Sequence, residues 1–597
     1  IDMVPDEISI MNDLSKLYKE NERYDDQIFI LEKILSLDEN NDIAQDELAM
    51  AFENSGKDPL DIFKKRYENN PENLSYGLNY ADRLNQADRQ GEAISILRDV
   101  IRQDPSSKLA YRKLAENSIA IDNLEGAASA YEELFNIDPR DIKVAINISD
   151  VYLDNNDFRL SYGVSVTDVN QDNKYEFVVT GFGFSNLALS YQNGKLININ
   201  KDEIFDDVNR KTIGVAACDI DQDGFEEIYF LNTDTYSGEK KYSDRLIDNS
   251  SNGFIDLFEK DINKKNLNLT AGRSVVCVDR NGDGRYGIYV ANYGGPTRYY
   301  ELNTGQVLDL AEKLKLNKIT GGRAVVAGNI LSGKTDIFAA NERGKNFLYY
   351  NSDGFFQDIA EDYKVDDQYE NGRGTVLSDI LYRGRLDVVT SNWNGYHRAF
   401  VLEDTKFKDI ATPTYNIPTR IRTVISADFD NDGYDEIFMN NIGEPNKLFK
   451  IKENGFFQEI AIQNAYESNG LGTGAAVADI DDDGILELLV SHGESGMQPL
   501  TMYKADIKTD FNYIRIKPIN KFGAPARGAT VVLSSNLRKH AKTIDAGSGY
   551  LCQMEPVAHY GLREGEKNIS IDVIWTNGVS ETFKVNELNK IIEIKQK

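Results

Sequence analysis

The chain has 597 residues, enough for two to four domains of ordinary size. Hydrophobic residues make up 41% of it and aromatic residues 10%, so it can build real cores, which excludes a disordered protein. A net charge of −30 excludes a general binder of nucleic-acid backbones, and no apolar run reaches the ~18–20 residues that span a bilayer. Because the chain opens Ile1-Asp2-Met3, we interpret it as a processed product whose export signal has been removed.

Residues 1–157 repeat every 34 residues. Asn70-Pro71, Asp104-Pro105 and Asp138-Pro139 mark this spacing, and the segments between them have helical periodicity. The block resembles the tetratricopeptide repeat (TPR), an α-solenoid, with about four units, the last (Asp141–Asp154) a single helix. Its groove either only stabilises the molecule or holds a partner peptide. Small residues are expected at the helix-packing positions: Ala81, Ala93, Ala115 and Ala127.

Residues 158–508 have a second period, of about 50 residues. Apolar β-runs flank a short acidic motif in each repeat, which predicts seven four-stranded sheets closed into a seven-bladed β-propeller. Successive copies of the motif are separated by 51, 60, 50, 50, 49 and 51 residues. Their first residues are Asp168, Asp219, Asp279, Asn329, Asp379, Asp428 and Asp479.

The motif carries side-chain oxygens at positions 1, 3, 5 and 9, a carbonyl at position 7 and a turn residue at position 6. An oxygen-preferring ion with six to eight ligands, Ca²⁺, fits this donor set, and the flanking strands exclude an EF-hand. We predict about five structural calcium sites, the third weaker because Gly287 replaces its last acid. The predicted ligands are Asp168, Asn170, Asp172, Lys174 and Glu176; Asp219, Asp221, Asp223, Phe225 and Glu227; Asp279, Asn281, Asp283 and Arg285; Asp428, Asp430, Asp432, Tyr434 and Glu436; and Asp479, Asp481, Asp483, Ile485 and Glu487.

Two copies of the motif have lost the site. Asn329–Asp336 is one residue short, and Asp379–Asp387 carries Leu381 and Arg383 where acids belong. Residues 328–335 match the P-loop pattern Gly-x4-Gly-Lys-Thr, but that loop must lead into a helix, and a strand is expected at Asp336. We interpret the segment as a decayed metal loop.

A basic position recurs six residues before the motif in four consecutive repeats. These side chains should lie at one level near the axis, where they either pair with acids or form a collar that holds a carboxylate- or sulfate-bearing ligand. They are Arg273, Arg323, Arg373 and Arg422.

Three cysteines, Cys218, Cys277 and Cys552, form no Cys-x-x-Cys pair. We therefore expect no disulfide-stapled fold, and export without disulfides.

The pattern of residues 509–597 predicts short strands separated by polar turns, and these strands are expected to form a small β-sandwich. Gly523–Ala529, Gly547–Gln553, His559–Leu562 and Val573–Gly578 resemble the ASPIC/UnbV domain. That domain follows FG-GAP/VCBS-type calcium propellers in the cartilage acidic protein 1-like family. The resemblance implies a secreted or surface-displayed protein with adhesion or matrix-type binding and no settled catalytic activity.

These features together predict a non-enzymatic, calcium-stabilised extracellular or cell-surface protein that binds a protein or glycan. Its copies are expected to associate head to tail into a fibre or surface layer. One alternative is a propeller enzyme acting on acidic polysaccharide, although neither H-E-x-x-H nor G-x-S-x-G occurs. The other is a scaffold that binds peptides through the helical repeats.

Overall fold

The computed structural model describes residues 8–121 except 39, 40, 57 and 58; residues 123, 126, 127, 129, 130 and 133; and residues 158–597 except 193, 201, 202, 251, 252, 506–511 and 586. Contacts divide the chain into two compact units, residues 1–151 and 152–597. The predicted final helix, Asp141–Asp154, and the predicted boundary at residues 508 and 509 lie outside the described residues.

The first unit is helical. The starts of α1, α3, α5 and α7 lie 32 to 34 residues apart, at residues 8, 42, 74 and 108, close to the predicted period. The helices are α1 (Ile8–Glu20), α2 (Tyr24–Leu37), α3 (Asp42–Asn54), α4 (Leu60–Asn69), α5 (Leu74–Gln86), α6 (Gln90–Gln103) and α7 (Lys108–Ala120).

Small residues let these helices pack closely. At Gly77 in α5 an added Cβ would lie 2.6 Å from a methyl group of Val100 in α6. The four predicted packing alanines, Ala81, Ala93, Ala115 and Ala127, are at most 1% exposed, which confirms their role. No described helix has both the length and the apolar character needed to cross a membrane.

The second unit is β-rich. Among its described residues, the first 27 strands fall into seven antiparallel groups, here called sheets 1 to 7. Sheets 3 and 4 are joined by pairing of their long strands β10 and β13. Sheet 1 contains β1 (Ser161–Thr167), β2 (Glu176–Gly181), β3 (Leu187–Gln192) and β4 (Lys195–Asn198); sheet 2, β5 (Thr212–Cys218), β6 (Glu227–Asn232), β7 (Arg245–Ser250) and β8 (Gly253–Asp256); sheet 3, β9 (Gly272–Val278), β10 (Gly287–Pro296), β11 (Arg298–Asn303) and β12 (Gln306–Asp309); and sheet 4, β13 (Ile319–Gly328), β14 (Asp336–Asn341), β15 (Phe347–Ser352) and β16 (Phe355–Asp358). Sheet 5 contains β17 (Gly372–Ser378), β18 (Asp387–Asn392), β19 (Arg398–Glu403) and β20 (Lys406–Asp409); sheet 6, β21 (Ile421–Ala427), β22 (Glu436–Asn441), β23 (Lys447–Ile451) and β24 (Phe457–Ile460); and sheet 7, β25 (Gly472–Ala478), β26 (Glu487–His492) and β27 (Thr501–Lys504).

The first strands of the sheets contact one another in a closed succession. β1 contacts β5, each later first strand contacts the next, and β25 of sheet 7 contacts β1 again. Six of these strands are almost entirely buried, and β13 is buried from Gly322 onward. Short helical turns lie between the last strand of one sheet and the first strand of the next: Glu203–Phe205, Leu257–Glu259, Asp261–Asn266, Ala360–Tyr363 and Gln463–Tyr466.

Seven further strands follow in two sheets that share one core, which includes Trp575, Tyr560 and Val531. β34 pairs with β28 in parallel, and the other pairings are antiparallel. The strands are β28 (Tyr513–Ile519), β29 (Thr530–Ser534), β30 (Lys539–Thr543), β31 (Ala558–Gly561), β32 (Ser570–Ile574), β33 (Ser580–Lys584) and β34 (Ile591–Lys595).

Residues 545–555, here called the inner segment, leave these strands and run among the first strands of sheets 1 to 7. Hydrogen bonds from the inner segment reach all seven sheets. The partners, in sheet order, are Val164 and Val166, Ala217, Cys277, Arg323, Thr375, Thr423 and Val477.

Candidate metal centres

The seven predicted motifs occupy equivalent places in the fold. Each forms the loop between the first and second strands of its sheet, and we number these acidic loops 1 to 7 with their sheets. The position-9 acids Glu176, Glu227, Glu436 and Glu487 begin the second strands, so the strand ends fix where the loop carboxylates meet.

The loops share a hydrogen-bond pattern. In loop 2 the first acid, Asp219, accepts the N–H of Gly224 at 3.2 Å, and the last acid, Glu227, accepts the N–H of Ile220 at 2.7 Å. Loops 1, 6 and 7 repeat both bonds. The position-5 acid accepts the N–H of position 7 in all five predicted sites, from Lys174, Phe225, Arg285, Tyr434 and Ile485.

The position-6 residues adopt left-handed backbone conformations. Gly224, Gly433 and Gly484 have φ of 95°, 82° and 84°, and Asn173 in loop 1 has φ of 66°. Glycine takes this conformation without strain and asparagine tolerates it better than most residues, so the sharp turn forms in loop 1 without a glycine.

Three loops bring carboxylate oxygens within 4.8 Å of one another. The groups are Asp219, Asp221 and Glu227; Asp428, Asp430 and Glu436; and Asp479, Asp481 and Asp483.

Of these three loops, loop 2 has the fewest basic side chains to neutralise its carboxylates. Burial and the neighbouring acids raise the pKa of Asp219 to about 7 and the pKa of Glu227 well above its ordinary value. Oε1 of Glu227 is buried without a hydrogen-bond partner. Among the described residues, no lysine or arginine forms an ion pair with Asp219, Asp221, Asp223 or Glu227. The oxygen-only donor set therefore fits a hard cation.

Loops 6 and 7 differ because each contains a lysine that sequence reasoning missed. Nζ of Lys450 lies 2.8 Å from Asp430 and 2.5 Å from Asp432. Nζ of Lys504 lies 2.8 Å from both Asp481 and Asp483. Glu436 and these aspartates raise the pKa of Lys450 against the opposing effect of burial, and Glu487 with its aspartates does the same for the pKa of Lys504.

In loop 3 the carboxylate of the first acid already accepts hydrogen bonds from backbone and side-chain groups. Asp279 accepts three backbone N–H groups at 2.9 to 3.1 Å and the Thr576 hydroxyl at 2.6 Å. The Asn281 side-chain oxygen accepts a hydrogen bond from Arg280 at 3.0 Å. Loop 3 is therefore the poorest donor set of the five predicted sites.

Loops 4 and 5 use their remaining acids in other ways. Asp336 accepts the N–H groups of Leu331 and Ser332, and loop 4 leads into strand β14 rather than a helix, as expected for a segment that is not a P-loop. In loop 5 the Arg383 guanidinium lies 3.3 Å from Asp387, so a protein cation occupies this position.

The four predicted collar arginines lie together around the Tyr550 hydroxyl of the inner segment. All four are buried, and their charges lower the pKa of Tyr550 although burial opposes this. Glu342 pairs with Arg323 and Arg373, Glu494 pairs with Arg422, and Arg273 donates to a backbone carbonyl. The structure therefore pairs three of these arginines with acids, and ligand binding at the collar stays a prediction.

The expectation of a protein without disulfides is wrong. Cys218 and Cys277 form a disulfide bond between β5 and β9, the first strands of sheets 2 and 3. They lie one and two residues before the motifs of consecutive repeats, so the repeat register was the signal that could have paired them. Cys552 is free and buried.

A cleft of about 550 Å³ opens where loops 1 and 2 face strands β28 and β34. Its lining mixes aromatic, basic and acidic side chains, including Phe225, Phe522, Lys521, Asp223 and Glu593.

Family comparisons agree with this arrangement. The ASPIC and UnbV model matches residues 520–597, and the FG-GAP-like repeat model matches residues 428–490, which include loops 6 and 7. The chain is thus a protein with FG-GAP-like repeats followed by an ASPIC and UnbV region.

Cartilage acidic protein 1 of Xenopus tropicalis is 44% identical over 482 residues, covering 74% of this chain and 74% of the relative. The Homo sapiens protein is 43% identical, with 74% and 73% covered. The chain belongs to the cartilage acidic protein 1 family. Part of the chain is similar to two solved structures. One is a MamA protein, with 22% sequence identity and a TM-score of 0.21, and the match covers 24% of this chain and 80% of that one. The other is YrrB, a TPR protein with an unusual peptide-binding site, with 18% identity and a TM-score of 0.20, and the match covers 23% of this chain and 72% of that one.

Proposed function

We propose that this protein is a non-enzymatic, calcium-stabilised extracellular protein that binds a protein or glycan at the cell surface or in the matrix. In this proposal sheets 1 to 7 are the blades of a seven-bladed β-propeller, and residues 512–597 form a β-sandwich. The closed succession of first strands and the inner segment that bonds to every sheet support the propeller.

The observation that carries the calcium proposal is the acid cluster of loop 2. Carboxylates this close repel one another, and a buried oxygen without a partner is costly, so the loop is stable only when a cation compensates it. Asp219, Asp221, Asp223 and Glu227 would hold the ion with the carbonyl of Phe225, and loop 1 offers a similar set. When bound, calcium supplies positive charge that ties the loop to the strand ends.

Two features support an extracellular location. The Cys218–Cys277 disulfide persists in oxidising compartments and is rare in the cytosol. Calcium sites in extracellular modules fill at millimolar concentrations, which the cytosol does not provide. Membership of the cartilage acidic protein 1 family agrees with both.

The histidines support a binding role over an enzymatic one. His397, His492, His540 and His559 are all at most 3% exposed. His540 bonds to Asp435 at 3.2 Å and His559 bonds to Asn431 at 2.5 Å, so both are engaged in the core. The cleft beside loops 1 and 2, with its mixed charges and the exposed Phe225, is the binding surface we propose for the partner.

Thermal unfolding of the full chain in EDTA and in calcium tests the proposal. At a calcium concentration 100 times the Kd, each filled site adds about 2.7 kcal/mol, so the Tm should rise by several degrees, whereas equal magnesium should have a smaller effect. Equal Tm values in EDTA and calcium would contradict calcium stabilisation. Product release from acidic polysaccharides would overturn the non-enzymatic reading.

The head-to-tail assembly stays a prediction. A single monomer peak in size-exclusion chromatography at high protein concentration with calcium would contradict it.

A further inference from the structure

The lysines in loops 6 and 7 occupy the places where a metal ion would neutralise the acids. Lys450 also lies 3.2 Å from Glu436, so its ammonium group contacts three loop acids. Lys504 likewise contacts Asp481, Asp483 and Glu487. Each ammonium group thus contacts oxygens that a bound calcium ion would need as ligands, so the lysine and a calcium ion would compete for the same oxygens.

Strand register explains why the lysines reach these acids. Lys450 on β23 pairs directly with Glu436 on β22, and Lys504 on β27 pairs with Glu487 on β26. Side chains of directly paired residues lie on the same face of a sheet. Each lysine therefore extends from the third strand of its sheet toward the position-9 acid.

Loop 2 has the opposite charge at this position. The register of β6 and β7, in which Ile228 pairs with Ile247, places Asp248 opposite Glu227. Oδ1 of Asp248 and Oε1 of Glu227 are both buried without a hydrogen-bond partner. The Oε1 atoms of Glu436 and Glu487 also lack a hydrogen bond, but each has a lysine ammonium group within ion-pair distance. Glu227 itself is 1% exposed. Within the part of the chain that the structure describes, loop 2 thus has no protein cation and gains a fifth acid, while loops 6 and 7 carry their own positive charge.

In loop 7 a second basic residue neutralises the acids. Its first acid, Asp479, forms an ion pair with the buried Arg515 at 2.8 Å. With Lys504 on the other three acids, every predicted ligand side chain in this loop already has a basic partner.

We propose that Lys450 and Lys504 act as built-in cations that replace calcium in loops 6 and 7, whereas loop 2, which has Asp248 at the same position, keeps its calcium site. This inference rests on the proposal that the acidic loops bind calcium. It revises the prediction that loops 6 and 7 are calcium sites equal to loop 2.

Counting bound calcium tests the inference directly. Full-length protein is dialysed against buffered calcium, and bound metal per chain is measured by mass spectrometry together with isothermal titration. Lys450→Met and Lys504→Met should each bind one calcium ion more than the parent, and the double variant two more. Lys408→Met, which removes an exposed lysine paired with Glu403, should leave the count unchanged.

The reciprocal variant keeps the test independent of how Lys450→Met folds. Asp248→Lys places a lysine opposite Glu227 and should lose one calcium ion while the Tm of the variant becomes less sensitive to EDTA. If the parent chain binds calcium, an unchanged count in Asp248→Lys, or in folded Lys450→Met and Lys504→Met, overturns the inference. A parent chain that binds no calcium, with lysine variants that bind none either, would instead contradict the proposed function.

Discussion

Arg527 and Glu226, 301 residues apart in sequence, form a bidentate ion pair in the core. Nε of Arg527 donates to Oε1 of Glu226 at 2.7 Å and Nη2 donates to Oε2 at 3.0 Å. The other N–H groups of Arg527 bond to the carbonyls of Val166, Asp545 and Met554. Glu226 precedes the last acid of loop 2, so this pair joins the ASPIC and UnbV region to the proposed calcium site.

Removing Arg527 should destabilise the protein strongly. Arg527→Met leaves the Glu226 carboxylate buried without its partner, which costs roughly 3–5 kcal/mol. Arg420→Met is the control, because the Arg420–Glu444 pair is exposed and worth at most about 1 kcal/mol. Urea unfolding in saturating calcium measures both. A loss below about 1 kcal/mol in Arg527→Met would contradict the central role of this pair.

Counting reactive thiols tests for the disulfide bond, and removing the bond measures its contribution to the free energy of unfolding. Unfolded in guanidinium without reductant, the chain should expose one reactive thiol, that of Cys552, and after reduction three. Replacing both Cys218 and Cys277 by serine should lower the free energy of unfolding by about 4 kcal/mol, because the bond closes a loop with a sequence separation of 59. Cys552→Ser provides the control, with no thiol before reduction. Three thiols without reductant would show that the bond does not form.

The buried pair of His492 and Glu467 should make stability depend on pH. Nε2 of His492 lies 3.0 Å from Glu467, and this carboxylate raises the pKa of His492 although burial alone would lower it. A raised folded-state pKa stabilises the protein fully below the unfolded value of about 6.5, and the contribution is lost as pH rises through the folded pKa.

The Tm should therefore fall more between pH 6 and pH 9 in the parent chain than in His492→Asn. Asparagine is the matched replacement, because it occupies the equivalent position in sheets 2 to 6, as in Asn441. His397→Asn is the control: burial lowers the pKa of His397 to about 3, so this residue does not titrate in the range. Equal slopes for parent and His492→Asn would refute the ion pair.

Tyr550 should ionise more readily than the other core tyrosines. Burial raises its pKa, but Arg323, Arg273, Arg422 and Arg373 outweigh burial and bring the pKa below the ordinary 10.0. The difference between tyrosinate absorbance titrations of the parent and Tyr550→Phe should show one group with a midpoint below 10.

Arg323→Met should move that midpoint upward, because its guanidinium donates to the Tyr550 hydroxyl at 3.3 Å. Tyr299→Phe serves as the control, since burial raises the pKa of Tyr299 well above 10.0 and its loss should not change the titration in this range. A Tyr550 midpoint above 10 would contradict this prediction, because it would mean that the acids paired with the arginines cancel their effect on the Tyr550 hydroxyl.

The sequence predicted local features well because they depend on residues close together in the chain. The period of about 50 residues located all seven acidic loops between strands, and Asn173 in loop 1 forms the turn expected of it. The packing alanines of the helical unit follow from helical periodicity in the same way.

The errors and omissions involve contacts between distant residues. The Cys218–Cys277 bond, Lys450 opposite Glu436, and Tyr550 among the arginines each require the register between strands or the path of residues 545–555. Composition and spacing do not encode these alignments, because they arise only when the sheets pack together. The predicted equality of loops 2, 6 and 7 rested on their motifs alone and took no account of the third strand.

The inner segment imposes an order on biosynthesis. The ribosome makes sheets 1 to 7 first, and Gln553, which bonds to Val164, Val166 and Ala217, emerges only after all of them. A nascent chain that ends before residue 555 therefore cannot complete the hydrogen bonding of its earliest strands. A product truncated there should stay accessible to chaperones and proteases, so assembly of the interior acts as a check that translation has passed residue 555.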